Sequence, residues 1–244
     1  GFTYNVTRSG SYELIVGALS PDGRVNASLQ VQGSPSVVTV RAGPLCGRRS
    51  KAFGPTAANN GADGAADDGA WVEGAGRPVR LWLEARDRHD NVHESAIEPA
   101  PFVISVHKRS GARIVLPAAA AVVRAASRGG QGAYTADLVL PNTGDYLVKV
   151  VADAVAGGEG GELLGSPYPL RIVAGPTSAF QCTAAGPGLS SLEARVGTLQ
   201  WVVITARDMY ANARSHGGDR FALTLDGPNG TRLVASSMVD YGNG

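Results

Sequence analysis

The residues best equipped for chemistry gather at one turn. Asp87, Asp90 and Asn91 place three oxygen donors within five residues, and His89 and His93 stand four apart. Clustered oxygen donors suit calcium, and a histidine pair four apart on a helix can share a transition metal. The stretch Ala85-Arg86-Asp87-Arg88-His89-Asp90-Asn91 recurs, however, as Ala206-Arg207-Asp208-Met209-Tyr210-Ala211-Asn212, with Ala211 where the first has Asp90. No glutamate follows at a spacing that would close a calcium loop, and no cysteine or third histidine lies close in sequence to the pair. Histidines flanking a turn do not share a face. The recurrence therefore predicts a structural turn, in which Asp87 with Asn91, and Asp208 with Asn212, cap backbone N–H groups through their side chains. No metal or other cofactor is expected.

Catalytic arrangements are equally thin. There is no Gly-x-Ser-x-Gly elbow, no cysteine–histidine pair with an orienting third group, and no pair of carboxylates on facing strands. The 33 glycines are spread over turns rather than gathered between a strand and a helix, as a phosphate-binding loop requires. The expectation is a chain that is not an enzyme. A formal net charge of +1 gives no reason to expect nucleic acid or an anionic membrane as partner, and the run Arg48-Arg49-Ser50-Lys51 reads as a solvated loop. No segment approaches the roughly 18–20 apolar residues of a membrane span. His107 and His216 read as surface residues. Cys46 and Cys182 fall in different segments, so no bridge within one unit is expected, which favours a reducing compartment. Against this stand three glycosylation sequons, at Asn5, Asn26 and Asn229, where composition predicts roughly one.

The elements that must position these residues are strands. Phe2, Tyr4 and Val6; Leu81, Leu83 and Ala85; Phe102, Ile104 and Val106; Tyr134, Ala136, Leu138 and Leu140; and Phe221, Leu223 and Leu225 each alternate with a second set facing the other way. Period-two patterning of this kind marks antiparallel sheets with one side on a core. Pro21-Asp22-Gly23, Asn142-Thr143-Gly144, Gly217-Gly218-Asp219 and Gly227-Pro228-Asn229-Gly230 supply the turns. Ala118 to Ala126 has the composition of a helix, but Pro117 and the pair Val122-Val123 make a turn or strand equally compatible. Trp82 and Trp201 fall on second strands, and these two with Trp71 read as core or rim packing or, alternatively, as part of a partner groove.

The strands repeat. Gly33-Ser34-Pro35 leads through Val37 to Val40 into Ala42-Gly43-Pro44, and Gly165-Ser166-Pro167 leads through Tyr168 to Val173 into Ala174-Gly175-Pro176. Gly10-Ser11-Tyr12 and Gly144-Asp145-Tyr146 open matching strands upstream, each with a tyrosine placed to bury its ring and keep its hydroxyl near the backbone. Each Gly-Ser-Pro is expected to mark a bulge in the last strand, because proline cannot donate to a ladder. Fixed-order recurrence marks a repeat array. Cutting at Ala-Gly-Pro gives residues 1–42 as the last strands of one unit, 43–174 as a complete unit, and 175–244 as the first strands of a third. The central unit carries a low-complexity insertion over 56–69, expected to be a mobile loop, and the chain reads as part of a longer polypeptide.

These motifs resemble filamin-type immunoglobulin-like repeats. The carrying residues are Ala179 to Leu189 with its Gly186-Pro187-Gly188-Leu189 turn, Ile204 to Asn212, Gly217 to Phe221, Gly144 to Val148, and Gly165 to Tyr168. The central unit departs from the pattern, having Lys51-Ala52-Phe53-Gly54-Pro55 where the turn would lie. The resemblance implies an all-β fold of tandem antiparallel sandwiches acting as a structural scaffold. It implies docking of partner proteins by strand addition in a groove between the third strand (about Pro101 to Lys108, and Arg220 to Leu225) and the fourth (about Ala112 to Leu116, and Thr231 to Ser236). Val103, Ser105, His107, Ala222 and Thr224 would line it. Partners would be cytoskeletal or ciliary assembly proteins and neighbouring repeats, in the cytoplasm; the alternative is an extracellular, glycosylated adhesion or surface-filament protein built from the same repeats.

Overall fold

The computed structural model describes residues 1, 3–21, 24–55, 69–110, 113–114, 122–128, 131–154, 157–189, 195–230, 232–234 and 238–244. Four strands come first: β1 (Gly10–Leu14), β2 (Gly17–Leu19), β3 (Val25–Gln30) and β4 (Ser36–Val40). Ten follow in the middle of the chain: β5 (Lys51–Phe53), β6 (Trp71–Gly74), β7 (Pro78–Glu84), β8 (Phe102–Lys108), β9 (Arg113–Ile114), β10 (Arg124–Arg128), β11 (Gln131–Val139), β12 (Gly144–Ala152), β13 (Gly161–Glu162) and β14 (Tyr168–Val173). The last are β15 (Thr183–Ala185), β16 (Val203–Thr205), β17 (Thr224–Asp226) and β18 (Arg232–Val234). The only helical pieces among the described residues are two 3₁₀ turns, Pro187–Leu189 and Pro228–Gly230. No helix among them is long and apolar enough to cross a membrane.

The middle strands form two sheets, ordered β10-β11-β7-β5 and β6-β14-β12-β8-β9, with β13 added to β12. Alternation decides which side chains meet between them. Val79, Leu81 and Leu83 of β7 and Tyr134, Ala136 and Leu138 of β11 face Phe102, Ile104 and Val106 of β8, Tyr146, Val148 and Val150 of β12, and Leu170 and Ile172 of β14 in one buried cluster. Phe102 meets Tyr134 edge to face, with ring centroids 5.0 Å apart. On the outer face Arg80 and Asp137, directly opposite in register, form an ion pair at 2.8 Å. The first strand is split. β5 pairs with β7 in one sheet, and β6 runs parallel to β14 in the other. Residues 56–68, between these two strands, lie outside the described residues. A sandwich whose first strand changes sheet and which carries a tyrosine corner is an immunoglobulin-like fold.

The flanking segments repeat the same pairings. Tyr12 faces Val38 across β1–β4 as Tyr146 faces Leu170 across β12–β14. Leu225 faces Leu233 and Asp226 faces Arg232 across β17–β18, as Val106 faces Ile114 and His107 faces Arg113 across β8–β9. Both tyrosine hydroxyls donate at 2.8 Å four residues back, Tyr12 to the Arg8 carbonyl and Tyr146 to the Asn142 carbonyl. The Tyr146 ring is buried and the Tyr12 ring is 37 % exposed.

Several expected elements are shorter than their alternation. Residues 3–7 and 221–223 form no strand, and Trp201 precedes β16 rather than lying in it. A period-two pattern becomes a strand only where a neighbour accepts its backbone groups. Among the described residues none of these stretches has the partner that β11 gives β7 or β12 gives β8. Of the expected fourth strands, Arg113–Ile114 and Arg232–Val234 are present; the remaining positions, 112, 115–116, 231 and 235–236, lie outside the described residues. The Ala118 to Ala126 segment ends in β10. The Gly-Ser-Pro motifs are corrected from bulges to turns that precede β4 and β14. Ser34 and Ser166 turn back through their N–H groups to Val31 and Leu163, at 2.9 Å in both cases. Their hydroxyls accept the N–H of Val16 (2.8 Å) and Val150 (3.2 Å).

Replacing Leu81, fully buried between the sheets, with alanine is expected to destabilise the middle sandwich by about 2–5 kcal/mol in denaturant unfolding. Val103→Ala, on the outer face of β8, is expected to change it by about 0.5 kcal/mol or less.

Candidate functional site

The repeated Ala-Arg-Asp-x-x-x-Asn turn occurs twice with the same geometry. Ala85 and Ala206 are buried at its start. The Asp87 N–H donates to the Asn91 carbonyl and the Asp208 N–H to the Asn212 carbonyl, each at 3.0 Å. Asp90 and Ala211 take left-handed backbone conformations, with φ of 71° and 65°. Asparagine and aspartate tolerate that region better than alanine, so at Ala211 the surrounding bonds hold the backbone in place. One of these comes from Arg207, whose Nη1 donates to the Ala211 carbonyl at 2.7 Å, as Arg86 Nη1 donates to that of Asp90 at 2.9 Å.

The carboxylates organise the rest. Asp87 and Asp208 are 2 % and 1 % exposed. Burial without partners would be costly, and every partner here is an N–H. Asp87 Oδ1 accepts from the backbone of His89 (2.8 Å) and Asn91 (3.0 Å). Its Oδ2 accepts from Asn91 Nδ2 and from the Gly43 backbone, both at 2.8 Å. Asp208 repeats the set with Tyr210, Asn212 and Gly175. Burial pushes both carboxyls up, but the asparagine side chain and the backbone N–H groups outweigh it and hold each below the ordinary value of 3.8. These oxygens serve the turn-capping role and are occupied by hydrogen-bond donors.

Each asparagine then reaches outside its own turn. Asn91 Nδ2 donates to the Thr7 carbonyl at 2.8 Å, and Asn91 Oδ1 accepts the Ser9 N–H at 3.0 Å. Asn212 Nδ2 donates to the Pro141 carbonyl at 2.8 Å, and its Oδ1 accepts the Thr143 N–H at 3.1 Å. Thr7 to Ser9 and Pro141 to Thr143 are the loops that hold the two tyrosine corners. The aspartate thus grips the Ala-Gly-Pro connection while the asparagine grips the tyrosine-corner loop before it. The backbone beyond each connection is fastened too, with Cys46 N–H on the Arg86 carbonyl and Ser178 N–H on that of Arg207, both at 2.7 Å.

One position beneath the turn shows what the site demands. The Arg86 N–H donates to Ser50 Oγ at 3.1 Å, and the Arg207 N–H meets Cys182 Sγ at 3.4 Å. Ser50 in turn donates to the Cys46 carbonyl, and Cys182 to that of Ser178. Serine and cysteine exchange places between the two copies, so a small side chain that both accepts and donates is required there. The two thiols are unpaired. At the second joint the Tyr210 ring lies against Gly76, whose φ is +74° and whose added Cβ would enter the ring.

The other candidates are scattered. Val103, Ser105 and His107 share the outer face of β8; Val103 is exposed, and Ser105 Oγ and His107 Nε2 are 3.2 Å apart. Val106 and His107 are paired to β9. Ala222 and Thr224 are exposed, and only Thr224 lies in a strand. Asn5 and Asn229 are exposed, whereas Asn26 lies in β3. His89 is exposed and accepts from Arg88 Nε at 3.1 Å, while His93 is half-buried. Trp71 stacks on Tyr168 at 4.9 Å, Trp82 is half-buried on the outer side of β7, and Trp201 is 56 % exposed beside Gly186 and Gly188. The sequence reading found the caps but missed the grip on the preceding loop. The available signal was the pairing of every Ala-Gly-Pro with a downstream Asp-x-x-x-Asn.

No protein-family model matches the chain, and no curated protein matches it. Among solved structures it is similar to FdeC, an Escherichia coli adhesin, at 20 % identity over 86 % of this chain and 63 % of that one, with a TM-score of 0.48. It is also similar to InvD of Yersinia pseudotuberculosis, at 13 % identity over 96 % of this chain and 68 % of that one, with a TM-score of 0.39. The chain therefore spans less than two thirds of the FdeC chain. With both scores below 0.5, the functional reading rests on the geometry of this chain.

Spin labels on either side of a joint should give a narrow distance distribution that broadens in Asn91→Ala or Asn212→Ala, with little change in the melting of the middle sandwich. The carboxyls add a pH dependence. A depressed folded value means that their stabilisation is complete above about pH 4, near the unfolded value, and is lost as pH falls through the lower folded value. The same distance measurement should therefore broaden on acidification below about pH 4, and Asp87→Asn should remove that dependence at the first joint.

Proposed function

We propose that this chain is a non-catalytic structural segment, a stiff spacer made of tandem immunoglobulin-like modules over residues 1–42, 43–174 and 175–244. The observation that carries the reading is the duplicated clasp. Two connections of the same sequence are each held by an aspartate on the connection and an asparagine on the tyrosine-corner loop before it. A short connection with several bonds to both neighbours resists bending, whereas an unfastened one would leave relative motion as the default. The filamin-type reading adds a docking role, with Val103, Ser105 and His107 in one module and Ala222 and Thr224 in the next presented to an incoming strand. The partners on this reading are proteins and neighbouring modules of the same chain.

For the compartment, a specific observation favours the extracellular alternative over a cytoskeletal or ciliary one. Asn5, with Thr7 completing its sequon, is exposed, and so is Asn229. The chain is then part of a surface filament or adhesion stalk, the setting in which a stiff row of sandwiches holds a binding end away from the cell.

Two measurements test this. Small-angle scattering of the chain should give a radius of gyration well above the roughly 18 Å of a compact protein of this length; a value near 18 Å would contradict a spacer. Intact mass of protein from its native source should fall on glycosidase treatment, and an unchanged mass would remove the observation that favours the extracellular setting.

A further inference from the structure

The two joints share their clasp but not their lining, and the difference is one of charge. A cleft of about 410 Å³ opens at the first joint, walled by the Asn5 to Arg8 loop, the connection with its flanking residues Val40, Arg41, Leu45 and Cys46, the turn at Asp87 and Asn91, and Gly157 to Glu159. Its size is that of a small-ligand pocket. Arg8, Arg41, Arg88 and His89 all line it. At the second joint the equivalent positions are Asn142, Val173, Met209 and Tyr210. Every bond of the clasp is made in both places, so the clasp does not require these four residues to be basic. The two joints act as internal controls for each other.

The basic groups are also poorly matched by acids. Two carboxylates line the cleft, Asp87 and Glu159. Asp87 is already occupied on both oxygens by N–H donors, and Glu159 Oε2 lies 3.8 Å from Cys46 Sγ. Among the described residues, neither Arg8 nor Arg88 has a carboxylate within ion-pair distance, and Arg41 approaches Glu94 only at 3.9 Å. Guanidinium groups recognise planar or tetrahedral oxyanions through paired N–H donors, and are more weakly hydrated than ammonium groups.

We propose that the first joint binds a small oxyanion-bearing ligand, one carrying sulfate, phosphate or carboxylate, through Arg8, Arg41 and Arg88. Arg8 and Arg41 lie before the connection and Arg88 after it, so the ligand bridges the joint and adds to its stiffness. The second joint, with methionine and tyrosine in place of Arg88 and His89, does not bind it.

Calorimetric titration of the whole chain with a sulfated disaccharide, with sucrose and inorganic sulfate in parallel, tests this. The expected result is saturable one-to-one binding of the sulfated sugar that weakens as salt rises. Binding should fall at least tenfold in Arg8→Gln/Arg88→Gln and stay unchanged in Arg195→Gln, an exposed arginine elsewhere. Inorganic sulfate binding with the same loss in the double variant would support oxyanion recognition while showing that the sugar adds little. Equal binding of sucrose, or affinity within twofold in the double variant, would overturn the proposal. Should the double variant misfold, amide shifts in the unaltered chain decide: they must move at Gly43 and Arg88 on titration, and movement confined to Gly175 and Met209 would refute the assignment.

Discussion

A carboxylate taken out of water must have its lone pairs met, and this chain uses that requirement as its fastener. Asp87 and Asp208 are buried next to connections that carry no apolar side chain larger than proline. Their oxygens collect N–H groups from the turn, from the asparagine and from the glycine of the connection. Because one anion serves both the turn and the connection, neither can move without leaving a buried charge under-satisfied. Removing one partner of such a set costs more than the set contributes over an apolar equivalent. The device therefore suits geometry better than raw stability. The sandwich interior supplies stability separately, through Leu81, Leu83, Tyr134, Val148 and their neighbours.

The asparagine extends a local cap into a link with the tyrosine-corner loop. Its amide is bifunctional, giving two N–H donors and a carbonyl. One N–H binds the aspartate, and the carbonyl and Nδ2 embrace the backbone of the preceding loop two residues apart. That loop is itself held by the tyrosine corner, at Arg8–Tyr12 and Asn142–Tyr146. A continuous chain of hydrogen bonds thus runs from the tyrosine corner of β1 or β12, through the corner loop and the asparagine, to the aspartate and the turn that follows β7 or β16. Around this invariant frame the side chains that only line the joint are free to differ, and they do: Arg88 and His89 at one joint, Met209 and Tyr210 at the other.

Much of this was legible in the sequence. Alternation located β7, β8, β11 and β12 and their inward faces, because a two-sided core leaves a period of two. The repeated signatures located both turns and both tyrosine corners. What escaped was of two kinds. Strand extent was overstated at residues 3–7 and 221–223, because alternation reports a capacity to pair and says nothing of whether a neighbour lies alongside. The reach of Asn91 and Asn212 escaped because their targets are backbone groups of Thr7, Ser9, Pro141 and Thr143, and a carbonyl or N–H leaves no mark on residue type. The Gly-Ser-Pro motifs were misplaced for a related reason: proline's exclusion from a ladder fits a bulge and a pre-strand turn equally, and only the serine hydroxyl's bond to Val16 or Val150 distinguishes them.

The central claim is that the aspartates hold the connections. Backbone amide exchange at Gly43 and Gly175 reads this most directly, since each N–H has a clasp carboxylate as its acceptor. Both amides should exchange far more slowly than a free amide, and should lose that protection when Asp87 or Asp208 is replaced by alanine while the inner strands stay protected. Exchange at the rate of an open linker in the unaltered chain would show that the connections are not gripped, and the account of a stiff spacer would fail with it.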